Sequence, residues 1–191
     1  MPSPQDFLRG KMLDIIREYE GFRPDAYKVK GENFYTIGYG NTYNEDGSRI
    51  RADQRVTREQ ADGMMQRKAD EYYKKLMTIP AFAALPEATR RSLGSFSYNT
   101  GPNWYGNPDF TTLTGAVDSG DTNRIGDAIG LYINPGSEVE EGLKKRRVAE
   151  RELIITGGIP EAPTKPKPGT FTISPRHRKR TDRTAGLTKG R

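Results

Sequence analysis

The stretch Tyr19–Thr42, "YEGFRPDAYKVKGENFYTIGYGNT", decides how the chain is read. Before it, Phe7, Leu8, Met12, Leu13, Ile15, Ile16 and Tyr19 recur at the spacing of an amphipathic helix. Gly21 and Pro24 stop that helix and leave Glu20 at or just past its C-terminal end. After it, "AYKVK" and "FYTIGYG" alternate and are rich in Tyr, Val, Phe, Thr and Ile, with Gly31-Glu32-Asn33 between them as turn chemistry. A hairpin is expected there, and "NEDGSRIRAD" reads as a polar loop or a third strand.

Further along, Thr57 and Gln60 form a capping-box pair ahead of a long helix whose apolar face is Ala61, Met64, Met65, Ala69, Tyr72, Tyr73 and Leu76. Helical patterns follow at about 86–99, 109–118, 121–133 and 138–156, separated by short Gly, Pro and Asp segments. The class is therefore α+β: a helix and a small antiparallel sheet joined by a long helix to a helical lobe. After Ile155 the pattern breaks at Gly157-Gly158, and five of the thirteen prolines fall between Pro160 and Pro175. This divides the chain into a folded domain, 1–158, and a Pro-rich basic tail, 159–191, that cannot bury enough apolar surface to fold by itself.

Composition narrows the chemistry. With no cysteine and a single histidine, His177, a disulfide framework, a thiol nucleophile, a clustered zinc site and a Ser-His-Asp triad all fall away. No cofactor or metal is expected, and catalysis has to rest on carboxylates, hydroxyls or basic groups. No run of about 18 apolar residues occurs, and "MPSPQDFLRGK" lacks the apolar centre of a signal peptide, so neither a membrane span nor export by that route is expected. The net charge of +6 is a property of the tail. Residues 161–191 hold nine Lys/Arg and two acids, which leaves 22 basic and 23 acidic residues for 1–160. Charge of that kind, in "RHRKRTDRTAGLTKGR", attracts any polyanion and predicts no specific nucleic acid.

Cleaving a glycosidic bond needs one carboxylic acid to protonate the leaving oxygen, and usually a second carboxylate to activate water or stabilise the developing positive charge. A lone Glu at a helix end is ordinarily a solvated surface residue. A partly desolvated cleft between helix end and hairpin would instead suit Glu20 to the acid's role, since burial favours the protonated carboxyl.

Four collinear motifs supply the missing context. "EGFR..AY....G.FYTIGYGNT", "RRSLGSFSYNTG", "TTLTGAVDSGD" and "EGLKKRRVAERELIITG" resemble the signature segments of the phage-type lysozymes, the T-even and lambdoid endolysin muramidases, across roughly residues 7–158. That resemblance implies a lysozyme-like fold and cleavage of the peptidoglycan bond between N-acetylmuramic acid and N-acetylglucosamine. Glu20 then corresponds to the general acid and Thr36 to the threonine that helps hold the attacking water. Asn99 and Thr100 fall where the family lines its cleft floor. It also implies peptidoglycan strands as partner, and either release to the wall from the host cytoplasm or carriage in the virion. A Pro-rich strand ending in a basic cluster suits docking on a virion or tail protein through residues 159–191.

The sequence departs from the family pattern at one decisive place. Where relatives carry an aspartate nine residues after the Glu and six before the Thr, this chain has Val29 and Lys30, and the His common after Gly-x-Gly is Asn41. Three readings stay open. Glu32, four residues before Thr36, supplies the second carboxylate; or Glu20 acts alone and the substrate's own hydroxyl attacks, as in lytic transglycosylases; or the domain is a weakened or inactive glycan binder, a structural part of a virion.

Tyr39, Asn99, Thr100, Asn103 and Trp104 are candidate sugar contacts through stacking or amide hydrogen bonds. Tyr35 and Tyr39 share a strand parity opposite to Thr36, which favours packing over substrate for these two. Arg146 and Arg147 follow the family's double arginine and read as structural, satisfying carbonyls near a helix C-terminus and acids such as Glu150.

Overall fold

Ser3 opens the first helix, α1 (Pro4–Glu20), with a capping box: its side chain accepts from the Asp6 amide while Asp6 reaches back to the Ser3 amide. The computed structural model describes residues 3–28 and 31–157; Val29, Lys30 and the tail 159–191 lie outside the described residues. Gly21 ends α1 at φ 67°, and β1 (Arg23–Lys28) begins two residues later. β1 pairs antiparallel with β2 (Tyr35–Gly38), with Tyr27 opposite Thr36, Lys28 opposite Tyr35, and an irregularity between Arg23 and Tyr27. The expected hairpin is thus present.

The segment after it adds no third strand, only isolated bridges between Tyr43 and Arg49 and between Asp25 and Arg55. Its local chemistry explains this. The Ser48 amide and hydroxyl both donate to Asp46 Oδ1, at 2.9 and 2.6 Å, and close a turn where a strand would have to extend.

The long helix α2 (Arg58–Leu76) starts at the Thr57–Gln60 capping box, as its sequence predicts. A single turn, α3 (Pro80–Ala83), follows; it is too short for periodicity to disclose. Then come α4 (Glu87–Thr100), a 3-10 turn (Pro108–Phe110), α5 (Thr111–Ser119), α6 (Thr122–Ile129) and α7 (Glu140–Thr156). The helix expected over 121–133 stops at Ile129. Gly130 follows, and further on Asn134 adopts φ 48° ahead of Pro135, which α-helix does not tolerate.

Two apolar clusters result. Met12, Leu13 and Ile16 of α1 pack with Ile37, Tyr39, Met65 and Ala69 under the hairpin, and Leu93, Phe96, Trp104, Leu113, Val117 and Ile129 fill the helical lobe. Full burial of each large side chain contributes about 1.5–3 kcal/mol. Helix α4 serves both clusters, packing on α1, α2 and α7, with residues Ser92 to Tyr98 all buried. Its serines are satisfied internally. Ser92 Oγ donates to the Glu150 carbonyl at 2.7 Å, Ser95 Oγ to Glu150 Oε1 at 2.8 Å, and Ser97 Oγ to the Leu93 carbonyl at 2.7 Å. Gly94 permits the contact with α1, because a Cβ there would come within 2.7 Å of Met12 Sδ.

Candidate active site

Glu20 is the last residue of α1, and its side chain is 21% exposed. Its two carboxylate oxygens face different elements. Oε1 accepts from Arg146 Nη1 of α7 at 2.7 Å. Oε2 lies against the turn after β2, 3.3 Å from where a Cβ on Gly40 would stand. Gly40 has φ +82°, so a side chain there would meet both backbone strain and the carboxylate.

Behind Arg146 stands a buried ionic network. Arg146 Nε donates to Glu150 Oε1 at 3.1 Å and its Nη2 to the Ser95 carbonyl at 3.0 Å; Arg147 Nη1 donates to Glu150 Oε2 at 2.6 Å. The Glu150 side chain is 0% exposed, and those of Arg146 and Arg147 are 3% exposed. Two arginines meet two carboxylates, so the group is close to neutral as a whole, the condition under which buried charges persist. Burial pushes the Arg147 guanidinium below its ordinary range, and the Glu150 charge opposes that.

On the other side, Lys68 of α2 donates to the Gly40 carbonyl at 3.2 Å and sits 4.3 Å from the Tyr98 ring centroid. Burial pushes its ammonium below the usual lysine range, while the Glu20 charge works in the opposite direction. The Tyr98 hydroxyl donates to the Tyr39 carbonyl at 2.7 Å, and burial, followed by the Glu20 charge, pushes that phenol well above its usual range. Tyr27 of β1 is also raised, first by burial; Arg23 opposes this, and the charges of Glu20 and Glu32 both add to it.

An open cleft of about 580 Å³ runs from Glu20 across the helical lobe. Asn99 and Thr100 line it together with Glu20, as does Arg146. Asn99 Oδ1 accepts from Arg147 Nη2 at 2.5 Å, whereas the Thr100 hydroxyl turns back to the Phe96 carbonyl at 2.9 Å. The remaining sequence candidates stand elsewhere. Thr36 is 6% exposed in β2, and Glu32 is partly buried in the loop before it; neither lines this cleft. Asn103 is exposed, and its Oδ1 accepts from Lys75 Nζ at 2.5 Å.

Tyr39 and Trp104 are each 1% exposed, which corrects their place among the candidate sugar contacts and, for Tyr39, agrees with the strand parity that favoured packing. Tyr39 packs on Phe22 at 5.7 Å, and Trp104 Nε1 donates to Ser97 Oγ at 2.7 Å inside the lobe core. Asn41 is also buried, and its Oδ1 has no hydrogen-bond partner among the described residues. Val29 and Lys30 fall outside the described residues, so only their identities bear on the site.

Several lining residues carry no signal in the sequence. Tyr19, Phe110, Tyr132 and Glu138 reach the cleft from four separate segments, and the Phe110 and Tyr132 rings stack 4.7 Å apart. Arg146 and Arg147 did carry a signal but lie in the middle of α7, with Arg146 bonded to Glu20 as well as to Glu150. Among the described residues no group of three or more His, Cys, Asp or Glu side chains could hold a metal ion.

The phage lysozyme family model matches residues 17–150, a span that begins just before Glu20 and ends at Glu150. The chain belongs to the phage lysozyme family. The endolysin of Bacillus phage B103 is 30% identical over 162 residues, covering 81% of this chain, and that of Lactococcus phage c2 is 30% identical over 143 residues, covering 74%. This chain spans 57% of the length of each of those two relatives. Among solved structures, the active form of the P1 phage endolysin Lyz superposes with TM-score 0.64 at 22% identity, covering 80% of this chain and 86% of that one. The muramidase domain of SpmX from Asticaccaulis excentricus gives 0.61 at 23% identity, covering 75% and 94%. At these identities the structural likeness establishes the lysozyme fold, α+β with a small antiparallel sheet. Within that fold, the cleft described above is lined by two carboxylates, Glu20 and Glu138, and it is Glu20 that a buried arginine orients.

Proposed function

We propose that this phage lysozyme domain degrades peptidoglycan, cleaving the N-acetylmuramic acid–N-acetylglucosamine bond with Glu20 as general acid. One observation carries the reading: Glu20 lines an open cleft with Oε1 fixed by a buried guanidinium at 2.7 Å. With Oε1 so engaged, Oε2 is the oxygen from which a proton passes to the leaving glycosidic oxygen. The bond from that oxygen to the anomeric carbon breaks, and water supplies the hydroxyl that replaces it.

The acceptor of the water's proton is Glu32. Its support is positional: Tyr27, opposite Thr36 in the ladder, experiences the charges of both Glu20 and Glu32. Thr36 is the hydroxyl that steadies the water. Zymography on peptidoglycan tests the whole. Clearing by the wild type and none by Glu20→Gln is expected; a folded wild type that clears nothing would leave the second reading, a glycan-binding virion component. That alternative draws its support from Val29-Lys30, where the family resemblance implies an aspartate.

Delivery is a separate part of the proposal. The basic, Pro-rich residues 159–191 suit docking to a virion or tail protein, and mass spectrometry of purified particles checks it. Presence of the chain in particles supports carriage, and absence supports release from the host cytoplasm.

A further inference from the structure

Among the described residues Lys68 is a buried ammonium beside the site, and nothing in the mechanism above uses it. Its Nζ forms no salt bridge among the described residues; it has a backbone carbonyl, Gly40 at 3.2 Å, and two aromatic rings, Tyr98 at 4.3 Å and Tyr72 at 5.8 Å. A lysine held in this way loses hydration without gaining a counter-ion, an arrangement a solvated lysine would not adopt without return. What it holds is informative. Gly40 is the residue whose absent Cβ would stand 3.3 Å from Glu20 Oε2, and the preceding carbonyl, Tyr39, is held by the Tyr98 hydroxyl at 2.7 Å. Two donors, one from α2 and one from α4, therefore grip consecutive carbonyls of the turn that backs the acid.

We propose that Lys68 is a positioning residue for Glu20: with Tyr98 it holds the Tyr39–Gly40 turn, and through Gly40 it fixes the carboxylate oxygen that Arg146 leaves unclamped. The inference rests on the proposed role of Glu20. Arg146 and the Lys68-held turn then act as the two jaws of one clamp, one on each oxygen. Among the described residues the charged and titratable groups around the carboxylate are Arg146, Arg147 and Glu150 from α7, Lys68 from α2, Tyr98 from α4, Tyr27 from β1, Tyr19 beside it on α1, and Tyr132 and Glu138 across the cleft. Lys68 is the cation nearest the hairpin side of this set. Its removal therefore both loosens the turn and withdraws positive charge from Glu20. Neither Lys68 nor Gly40 lines the cleft, so substrate affinity should not depend on them.

The test is Lys68→Met with Lys68→Arg as the conservative partner, read by peptidoglycan turnover and by amide hydrogen exchange across the Tyr39–Asn41 turn. In Lys68→Met, kcat should fall about tenfold or more with KM within about twofold, as misplacement of a catalytic group demands. Exchange at the turn should quicken, and Lys68→Arg should restore both. Should Lys68→Met fail to fold, Tyr98→Phe removes the neighbouring grip while keeping the ring and should lower kcat in the same direction with KM unchanged. A Lys68→Met enzyme with wild-type kcat and unchanged exchange would overturn the proposal. If the wild type proves inactive yet exchange still quickens, the grip on the turn stands and it is the proposed function that fails.

Discussion

Glu20 stands between two regions built on different principles. Toward α7 it meets a network in which Arg146, Arg147, Glu150 and Ser95 satisfy one another almost wholly out of water, with the exposed Asn99 at its edge. Toward the hairpin it meets a glycine turn, a lysine without a carboxylate partner among the described residues, and Asn41 with an unpartnered Oδ1. Charges on the first side are locked by mutual pairing, and those on the second are held by backbone and aromatic faces. The hold on the acid's Oε1 is therefore a property of the helical lobe. Asn41, on the hairpin side, is one of the positions at which the sequence departs from the pattern the family resemblance implies.

The sharpest way to break this comparison is at Glu20 itself. Glu20→Gln keeps the size of the side chain and removes the transferable proton, and peptidoglycan turnover should fall by about 10²–10⁴-fold with the fold intact. Retained turnover would place the acid elsewhere. The next largest effect separates the two sides by stability. Glu150→Ala leaves the buried Arg147 guanidinium without a carboxylate and Arg146 with Glu20 alone, and should cost about 3–5 kcal/mol in denaturant unfolding. On the hairpin side, Asp25→Ala, which breaks the exposed Asp25–Arg55 pair at 2.9 Å, should cost no more than about 1 kcal/mol. Similar costs at both positions would erase the distinction.

A smaller effect is expected at Glu32. If it takes the water's proton, Glu32→Gln lowers turnover by about tenfold or more while KM holds; unchanged turnover with anhydro-ended products would favour Glu20 acting by itself. The smallest is a slope. Tyr98 keeps its phenol proton in the fold above its ordinary value, through burial and then the Glu20 charge. The unfolded chain loses that proton near pH 10, so this contribution is intact below about pH 10 and declines as pH rises from there. Tyr98→Phe should flatten the alkaline limb of stability against pH, and an unchanged limb would show that the phenol stays ionisable in the fold.

What the sequence disclosed follows the same division between near and far. Glu20 at a helix end, the hairpin and the Thr57–Gln60 cap were legible because Gly21, Pro24, the Gly31-Glu32-Asn33 turn and the capping pair act within a few residues of their effects. The tie from Arg146 to Glu20 joins positions 126 residues apart, and no local pattern encodes it. Strand parity already favoured packing for Tyr39, but Trp104 was unreadable for another reason. Aromatic rings suit a core and a sugar platform equally, and only the packing of α4 against its neighbours decides between them. The cleft walls at Phe110, Tyr132 and Glu138 come from separate segments, so composition gave no hint of them.

Mass spectrometry of the material released when the wild-type chain is incubated with purified peptidoglycan bears most directly on the central claim, that the Arg146-held Glu20 cleaves glycan strands with water as the attacking group. The account predicts soluble muropeptides with reducing N-acetylmuramic acid ends from the wild type and none from Glu20→Gln. Release of the same products by Glu20→Gln would contradict it.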